Sequence, residues 1–187
     1  MNIQYQYGII HTHTDNSIRD GAMSAHTLCQ RAHELGATAV VITDHGVLTG
    51  TYEFMKAAKE FGIKGIPGVE AYVQEDGGKR SHLLLIPKNY IGYQSISKAV
   101  TASNGRIING FPCMNQQILN AYFGEKAAGH NQVIATSACV SGILATVLLQ
   151  NQTLEFEIQK LLEKQKKYSK KESSYFQNRK TFDEISA

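Results

Sequence analysis

Short apolar runs alternate along this chain with longer stretches of helical periodicity. The runs at 7–10, 38–43, 63–73, 82–86 and 133–136 have the length and composition of buried strands. The intervening stretches at 24–35, 48–61, 92–103 and 116–123 predict helices. Alternation of this kind is typical of an α/β fold with a mainly parallel sheet.

A few residues mark the predicted limits of these elements. Ser24 is the expected N-cap of the first helix, and Leu35 in its last turn is predicted to be buried. The stretch 105–114 contains glycine and proline and is predicted to be a loop. Beyond Gly142 the pattern is helical, with an amphipathic helix expected to about residue 168. The sequence therefore predicts one domain, 1–168, and a polar, weakly ordered tail, 169–187.

Composition limits the function classes only broadly. The 187 residues are 42% hydrophobic, enough for one sizeable core, and the net charge of +3 is too small to identify a nucleic-acid partner. The three cysteines include no CxxC pair, which argues against a disulfide framework or a zinc ribbon. No signal peptide is recognised and no apolar run approaches the ~20 residues of a membrane span, so a cytoplasmic location is expected.

Potential metal ligands lie beside the predicted strands. Because alternate residues of a strand point the same way, His11 and His13 can present both imidazoles to one ion. Parallel strands collect their ends at one edge, so these ligands are expected to converge. Asp44 is predicted to orient a ligand histidine rather than to bind metal. The full set of candidate ligands is His11, His13, Asp20, His45, Glu70, His82 and Cys139.

Five blocks of sequence, taken together, resemble the polymerase and histidinol phosphatase (PHP) family. They are HTHTDNSIRDG, VVITDHG, GIPGVEAYV, SHLLLIPKNYIGYQSISK and TSACVSG, in that order, between about residues 8 and 150. The last two blocks are similar to the polymerase branch of the family, represented by the N-terminal PHP domain of bacterial DNA polymerase III alpha subunits. The inclusion of His82, which precedes its strand, rests on this resemblance.

The resemblance implies a distorted seven-stranded TIM-like (β/α) barrel that carries up to three divalent metal ions. His11, His13 and Glu70 would hold the first ion and a hydroxide nucleophile, and Glu70 would bridge to a second. His82 and Cys139 would complete that second site, and Asp20 with His45 would hold the third. Zinc, manganese or iron suit these donors. The implied activity is metal-dependent 3′ to 5′ exonuclease proofreading, and Lys79 and Arg80 could contact substrate phosphate.

One departure from the family pattern leaves the activity open. The family's final Asp-x-His motif does not follow Cys139, so the barrel is expected to be truncated before its last strand. The chain is then either a fragment of a polymerase subunit, with DNA 3′ ends and other polymerase subunits as partners, or a short free-standing PHP protein. Two further alternatives are a phosphatase acting on small phosphomonoesters and a non-catalytic structural module.

Overall fold

The computed structural model describes residues 7–145, 147–149, 159, 160 and 163, and the chain divides into units 1–145 and 146–187. The described residues of the second unit are helical. The predicted domain limit at 168 and the tail 169–187 lie outside the described residues. The first unit contains strands β1 (Gly8–Ile9), β2 (Ala39–Ile42), β3 (Lys64–Pro67), β4 (Val69–Val73), β5 (Ser81–Pro87), β6 (Ile107–Ile108), β7 (Phe111–Met114) and β8 (Val133–Thr136), and helices α1 (Ala25–Glu34), α2 (Thr51–Glu60), α3 (Tyr90–Asn104) and α4 (Gln116–Phe123).

The N-terminal strands form a parallel sheet in the order β1-β2-β3. Gly8 pairs with Ala39 and Val40 pairs with Gly65 in its register. Helices α1 and α2 lie between consecutive strands, as the predicted βαβ alternation requires. Their apolar faces pack with β2 to form one core, whose members include Leu28, Cys29, Ala32, Val40, Ile42, Phe54 and Ala58.

The remaining strands form a second sheet in the order β6-β7-β4-β5-β8. Strand β4 is parallel to β7 and antiparallel to β5, and β5 is antiparallel to β8. An isolated parallel bridge between His45 and Glu70 links the end of β2 to β4. The predicted α/β class is confirmed, but the pairings of this second sheet are mainly antiparallel and not mainly parallel as predicted. The described residues do not form a closed barrel, so the barrel remains an expectation from the family.

The end of α1 differs from its prediction. Ser24 is the N-cap, and its hydroxyl accepts a hydrogen bond of 3.1 Å from the backbone N–H of Thr27. Leu35, however, is 52% exposed rather than buried. It is the C-cap residue, outside the regular helix, and Gly36 follows with a φ of +77°. Helical spacing no longer fixes the direction of a side chain once the helix has ended.

The loop predicted at 105–114 is wrong, because most of it is the β6–β7 hairpin. Ile108 pairs with Phe111 across Asn109 and Gly110, whose φ angles are +50° and +81°. Asn-Gly is a strong signal for a two-residue hairpin turn, since both positions require positive φ. The brevity of β6 and the proline in β7 hid that signal. Behind this hairpin a second core contains Val69, Leu85, Ile96, Ala99 and Met114.

Among the residues described, no helix is long and apolar enough to span a bilayer. The helical residues 143–145 end the first unit, shortly after the loop that carries Cys139.

Candidate metal centre

Backbone pairing beyond β1 places the first two histidines. Thr43 donates its backbone N–H to the Thr12 carbonyl at 2.8 Å, and the Thr12 hydroxyl donates to the Val41 carbonyl at 2.8 Å. The segment after β1 is therefore held alongside β2. Since the Thr12 side chain faces β2, His11 and His13 on either side of it project together in another direction.

Glu70 of β4 is the centre of the site, and its side chain is 1% exposed. Its Oε2 lies 2.8 Å from His11 Nε2, 3.1 Å from His13 Nε2 and 3.7 Å from His45 Nε2. Its Oε1 lies 2.9 Å from His82 Nδ1, although this contact lacks hydrogen-bond alignment. A single buried carboxylate is thus shared by four imidazoles.

Strand direction explains how His82 joins this group. His82 is the second residue of β5, whereas the other candidate ligands stand on or after their strands. Because β5 runs antiparallel to β4, its beginning lies beside the end of β4, where His82 pairs with Tyr72. The antiparallel strand β5 thus delivers a candidate ligand from its N-terminal end to the same edge as the C-terminal end of β4.

The charges in the site are mutually stabilised. Burial raises the pKa of Glu70, but the contacts with His13, His82 and His11 more than offset this and hold the pKa well below its usual range. The hydrogen bond between His13 and Glu70 also raises the pKa of His13. Burial lowers the pKa of His45, which favours the neutral imidazole that binds metal. The Glu70 carboxylate is therefore ionised and can bind a cation.

Asp20 supplies a second carboxylate from the loop after the His11–His13 segment. Its Oδ2 lies 2.9 Å from His45 Nε2, and its Oδ1 accepts a hydrogen bond of 2.7 Å from the Ser17 hydroxyl. Burial raises the pKa of Asp20, but the hydrogen bond from Ser17 and the charge of His45 outweigh it, so its pKa is lowered. The His45 ring stacks on His13 with centroids 4.7 Å apart.

Cys139 approaches the site from the loop after β8. Its Sγ lies 3.4 Å from His82 Nδ1. The loop is held by a 3.0 Å hydrogen bond from the His82 backbone N–H to the Ser141 carbonyl, and Gly142 donates 2.8 Å to the Cys139 carbonyl. A Cβ at Gly142 would lie 1.6 Å from the Ser137 carbonyl oxygen. Only glycine allows this tight turn.

The donor set fits divalent cations. Three groups have ligand atoms within 4.8 Å of one another: His11, His13 and Glu70; His13, Asp20 and His45; and His45, Glu70 and His82. Glu70 Oε1 is also a buried oxygen without a hydrogen-bond donor. Imidazole nitrogens and carboxylate oxygens that lie this close together suit zinc, manganese or iron. Cys139 lies beside the third group, through His82, rather than within it. The ligand roles themselves remain predictions.

Asp44 differs from its prediction. Its carboxylate, 1% exposed, accepts hydrogen bonds of 2.6 Å from the Thr14 backbone N–H and 2.8 Å from the Thr14 hydroxyl. Its hydrogen bonds thus fix the loop between His13 and Asp20 and not an imidazole ring. The residue does position candidate ligands, but it does so through the backbone that carries them.

Aromatic and cationic side chains border the centre. The Tyr72 ring stacks on His45 with centroids 5.3 Å apart, and it contacts Phe111 at 4.9 Å. The Arg80 guanidinium lies 3.6 Å from the Phe111 centroid, and that of Arg19 lies 4.3 Å from it. The sequence predicted Arg80 and Lys79 here, and Lys79 is exposed. It missed Arg19, although this residue adjoins Asp20, and it missed Phe111 because 105–114 was predicted as a loop.

Comparison with known proteins agrees with the sequence motifs. The model of the PHP domain family matches residues 10–180. The chain belongs to the PHP domain family. The DNA polymerase III alpha subunit of Borreliella burgdorferi is 33% identical to this PHP domain over 164 residues, and that of Helicobacter pylori strain 26695 is 35% identical over 140. These alignments cover 81% and 71% of this chain, but only 13% and 11% of the relatives.

Among solved structures, the PHP domain has some likeness to an amidohydrolase from Chromobacterium violaceum. The TM-score is 0.43 at 24% sequence identity, and the match covers 53% of this chain and 34% of the other.

Proposed function

We propose that this PHP domain binds divalent cations and hydrolyses phosphoesters at DNA 3′ ends, as a proofreading-type exonuclease of the polymerase III alpha kind. The observation that carries the proposal is the buried Glu70 carboxylate, in contact with four imidazoles where the strands meet. A histidine cluster with a purely structural role would not need four imidazoles, which are good metal ligands, around one buried carboxylate.

The chain offers donors for up to three cations. His11, His13 and Glu70 would hold one, Glu70 with His82 and Cys139 a second, and Asp20 with His45 a third. Zinc, manganese and iron remain the candidates. When bound, such ions supply Lewis acidity toward the phosphoester and lower the pKa of water.

The protein's own part is to hold these donors in place. Glu70 orients the histidine rings, Ser17 fixes the Asp20 carboxylate, and Asp44 anchors the loop that connects His13 to Asp20. The burial of Glu70 excludes water from its carboxylate, which strengthens its attraction for cations. Preorganisation of this kind lowers the cost of assembling a multinuclear site.

The polymerase context rests on the relatives. Each of the two polymerase III alpha subunits described above is far longer than this chain, so their DNA substrates and partner subunits are proposals for it. The seven-stranded barrel belongs to the same proposal. The proposed site uses the seven ligands named above.

Metal content and hydrolysis can be tested together. Purified protein would be analysed for bound metal, then assayed with manganese or zinc on 5′-labelled single-stranded DNA and on p-nitrophenyl phosphate. We expect about one or more ions per chain and products shortened from the 3′ end. His13→Ala and Glu70→Ala should each lower the rate by about 100-fold or more. His26→Ala, which removes an exposed histidine that contacts Glu60 at 3.4 Å and the Phe61 ring outside the centre, serves as the matched control.

Other outcomes would contradict the proposal in different ways. Hydrolysis of p-nitrophenyl phosphate without any DNA cleavage would identify a small-molecule phosphatase. Bound metal without hydrolysis of either substrate would indicate a structural module. Activity that survives both site substitutions would come from a contaminant.

A further inference from the structure

Two arginines converge on one aromatic ring beside the metal centre. The guanidinium carbons of Arg19 and Arg80 lie 4.3 Å and 3.6 Å from the centroid of the Phe111 ring, and Arg80 also lies 5.5 Å from that of Tyr72. The two residues are far apart in sequence and reach the ring from different loops. We call Arg19, Arg80, Tyr72 and Phe111 the arginine patch.

The two charges of the patch have no acidic partner in the part of the chain that the structure describes. Other arginines do: Arg31 pairs with Glu34 at 2.9 Å, and Arg106 pairs with Asp76. Two like charges held against one ring repel each other, which is unfavourable unless an anion joins them. An unpaired guanidinium pair of this kind is therefore suited to bind an anion.

The patch adjoins the ligands of the metal centre. Arg19 immediately precedes Asp20, and Arg80 stands two residues before His82. Tyr72 connects the two regions, because its ring stacks on His45 on one side and contacts Phe111 on the other. A substrate with one phosphate at the metal centre would therefore extend its neighbouring groups toward the patch.

We propose that Arg19 and Arg80 bind a second phosphate of the substrate, next to the phosphate at the metal centre. This inference rests on the proposed function and assigns its substrate class: a phosphodiester chain, and not a small phosphomonoester. The planar guanidinium matches phosphate oxygens in a bidentate manner. Contact with Phe111 restricts both side chains, so less freedom is lost when the phosphate binds. The ring is thus a support for the arginines and not a platform for a base.

Binding and cleavage provide separate tests. Affinity for a labelled single-stranded oligonucleotide would be measured by fluorescence anisotropy, without catalysis, for wild type and for the double variant Arg19→Gln/Arg80→Gln. The matched control is Lys98→Gln/Lys126→Gln, which removes the same charge from two exposed sites outside the patch. We expect the arginine variant to bind at least tenfold more weakly and its salt dependence to fall by about 0.7 in slope, the value for one neutralised phosphate on single strands. The control should change affinity by less than about twofold.

A neutral methylphosphonate placed at the phosphate adjoining the 3′-terminal linkage identifies the partner of the arginines. It should weaken binding by wild type but not by the arginine variant, since that variant has already lost the contact. Where the double variant does not fold, Arg19→Gln alone replaces it, since Arg19 is exposed.

Failure of this inference is distinct from failure of the proposed function. If wild type cleaves DNA and the arginine variant binds it as tightly as wild type, the patch has no phosphate role and the exonuclease proposal stands. An equal loss in the lysine control would reduce the effect to general charge and overturn the inference. If wild type binds DNA through the arginines yet hydrolyses nothing, the exonuclease proposal fails and the phosphate site remains.

Discussion

Asp44→Asn tests how the ligand loop is held. The Asp44 carboxylate is buried and accepts from both the backbone N–H and the hydroxyl of Thr14, at 2.6 Å and 2.8 Å. Asparagine has nearly the same shape but only one oxygen, and it carries no charge. The substitution therefore weakens one hydrogen bond and turns an N–H donor toward the position of the other.

The expected cost follows from these two contacts. A hydrogen bond to a charged group contributes about 1.5–3 kcal/mol and a neutral one about 0.5–1.5 kcal/mol. Neutralising the buried group recovers part of its desolvation cost, which reduces the net effect. We expect Asp44→Asn to lower the free energy of unfolding by about 1–3 kcal/mol. Thr14→Val, which loses the hydroxyl bonds, including the one to the charged carboxylate, should cost about 1.5–3 kcal/mol.

Urea denaturation in EDTA would measure these changes without bound metal. The matched control is Asp15→Asn at the neighbouring exposed acid, expected within about 0.5 kcal/mol of wild type. The Asp44→Asn/Thr14→Val double variant should be non-additive by at least about 0.5 kcal/mol, because its members share a contact. Metal affinity of Asp44→Asn should fall about tenfold. If Asp44→Asn matches Asp15→Asn in stability, the hydrogen bonds to Thr14 do not hold the loop and the reasoning is refuted.

Three further predictions concern other parts of the site. Gly21→Ala places a Cβ 1.6 Å from the Thr14 carbonyl oxygen, so urea denaturation should show a loss of about 1–3 kcal/mol, and an unchanged midpoint would contradict it. Burial raises the pKa of Cys29 to about 11, so a thiol reagent at pH 8 followed by mass spectrometry should label Cys139 and spare Cys29; early labelling of Cys29 would contradict this. The pKa of Glu70 is lowered from 4.5 on folding, so metal-free wild type should lose stability as the pH falls below 4.5. Glu70→Gln should flatten that dependence, and parallel curves would contradict the assignment.

Local signals in the sequence were enough to predict most of the elements. The predicted helix at 116–123 and strand at 133–136 have the same limits as α4 and β8. Asn115 caps α4 by accepting from the Ile118 backbone N–H, and such caps can be read from a few neighbouring residues. The β6–β7 hairpin was missed because two-residue strands have too little periodicity to be recognised.

The residues of the site were predictable for a different reason than its contacts. Ligands that stand at strand ends can be read from sequence, because parallel strands share an edge. Strand direction cannot be read in this way: only the antiparallel pairing of β5 with β4 brings His82 within 2.9 Å of Glu70. The contacts of Asp44 were also hidden, since its neighbour in sequence is His45 but its partner in space is Thr14.

The same difference between neighbours in sequence and neighbours in space explains why the sequence predicted only one of the two arginines of the arginine patch. Arg80 adjoins a histidine in sequence, which made it a candidate, whereas Arg19 becomes one only when the 14–20 loop folds back beside β2. Ser17 makes that fold possible, since its hydroxyl both donates to Asp20 and accepts the His45 backbone N–H. One loop therefore sets the positions of a candidate metal ligand and of the arginine proposed to bind phosphate together. A change that loosens this loop, such as Ser17→Ala, should weaken cation binding by Asp20 and oligonucleotide binding by Arg19 in the same variant, whereas Arg19→Gln should affect only the second.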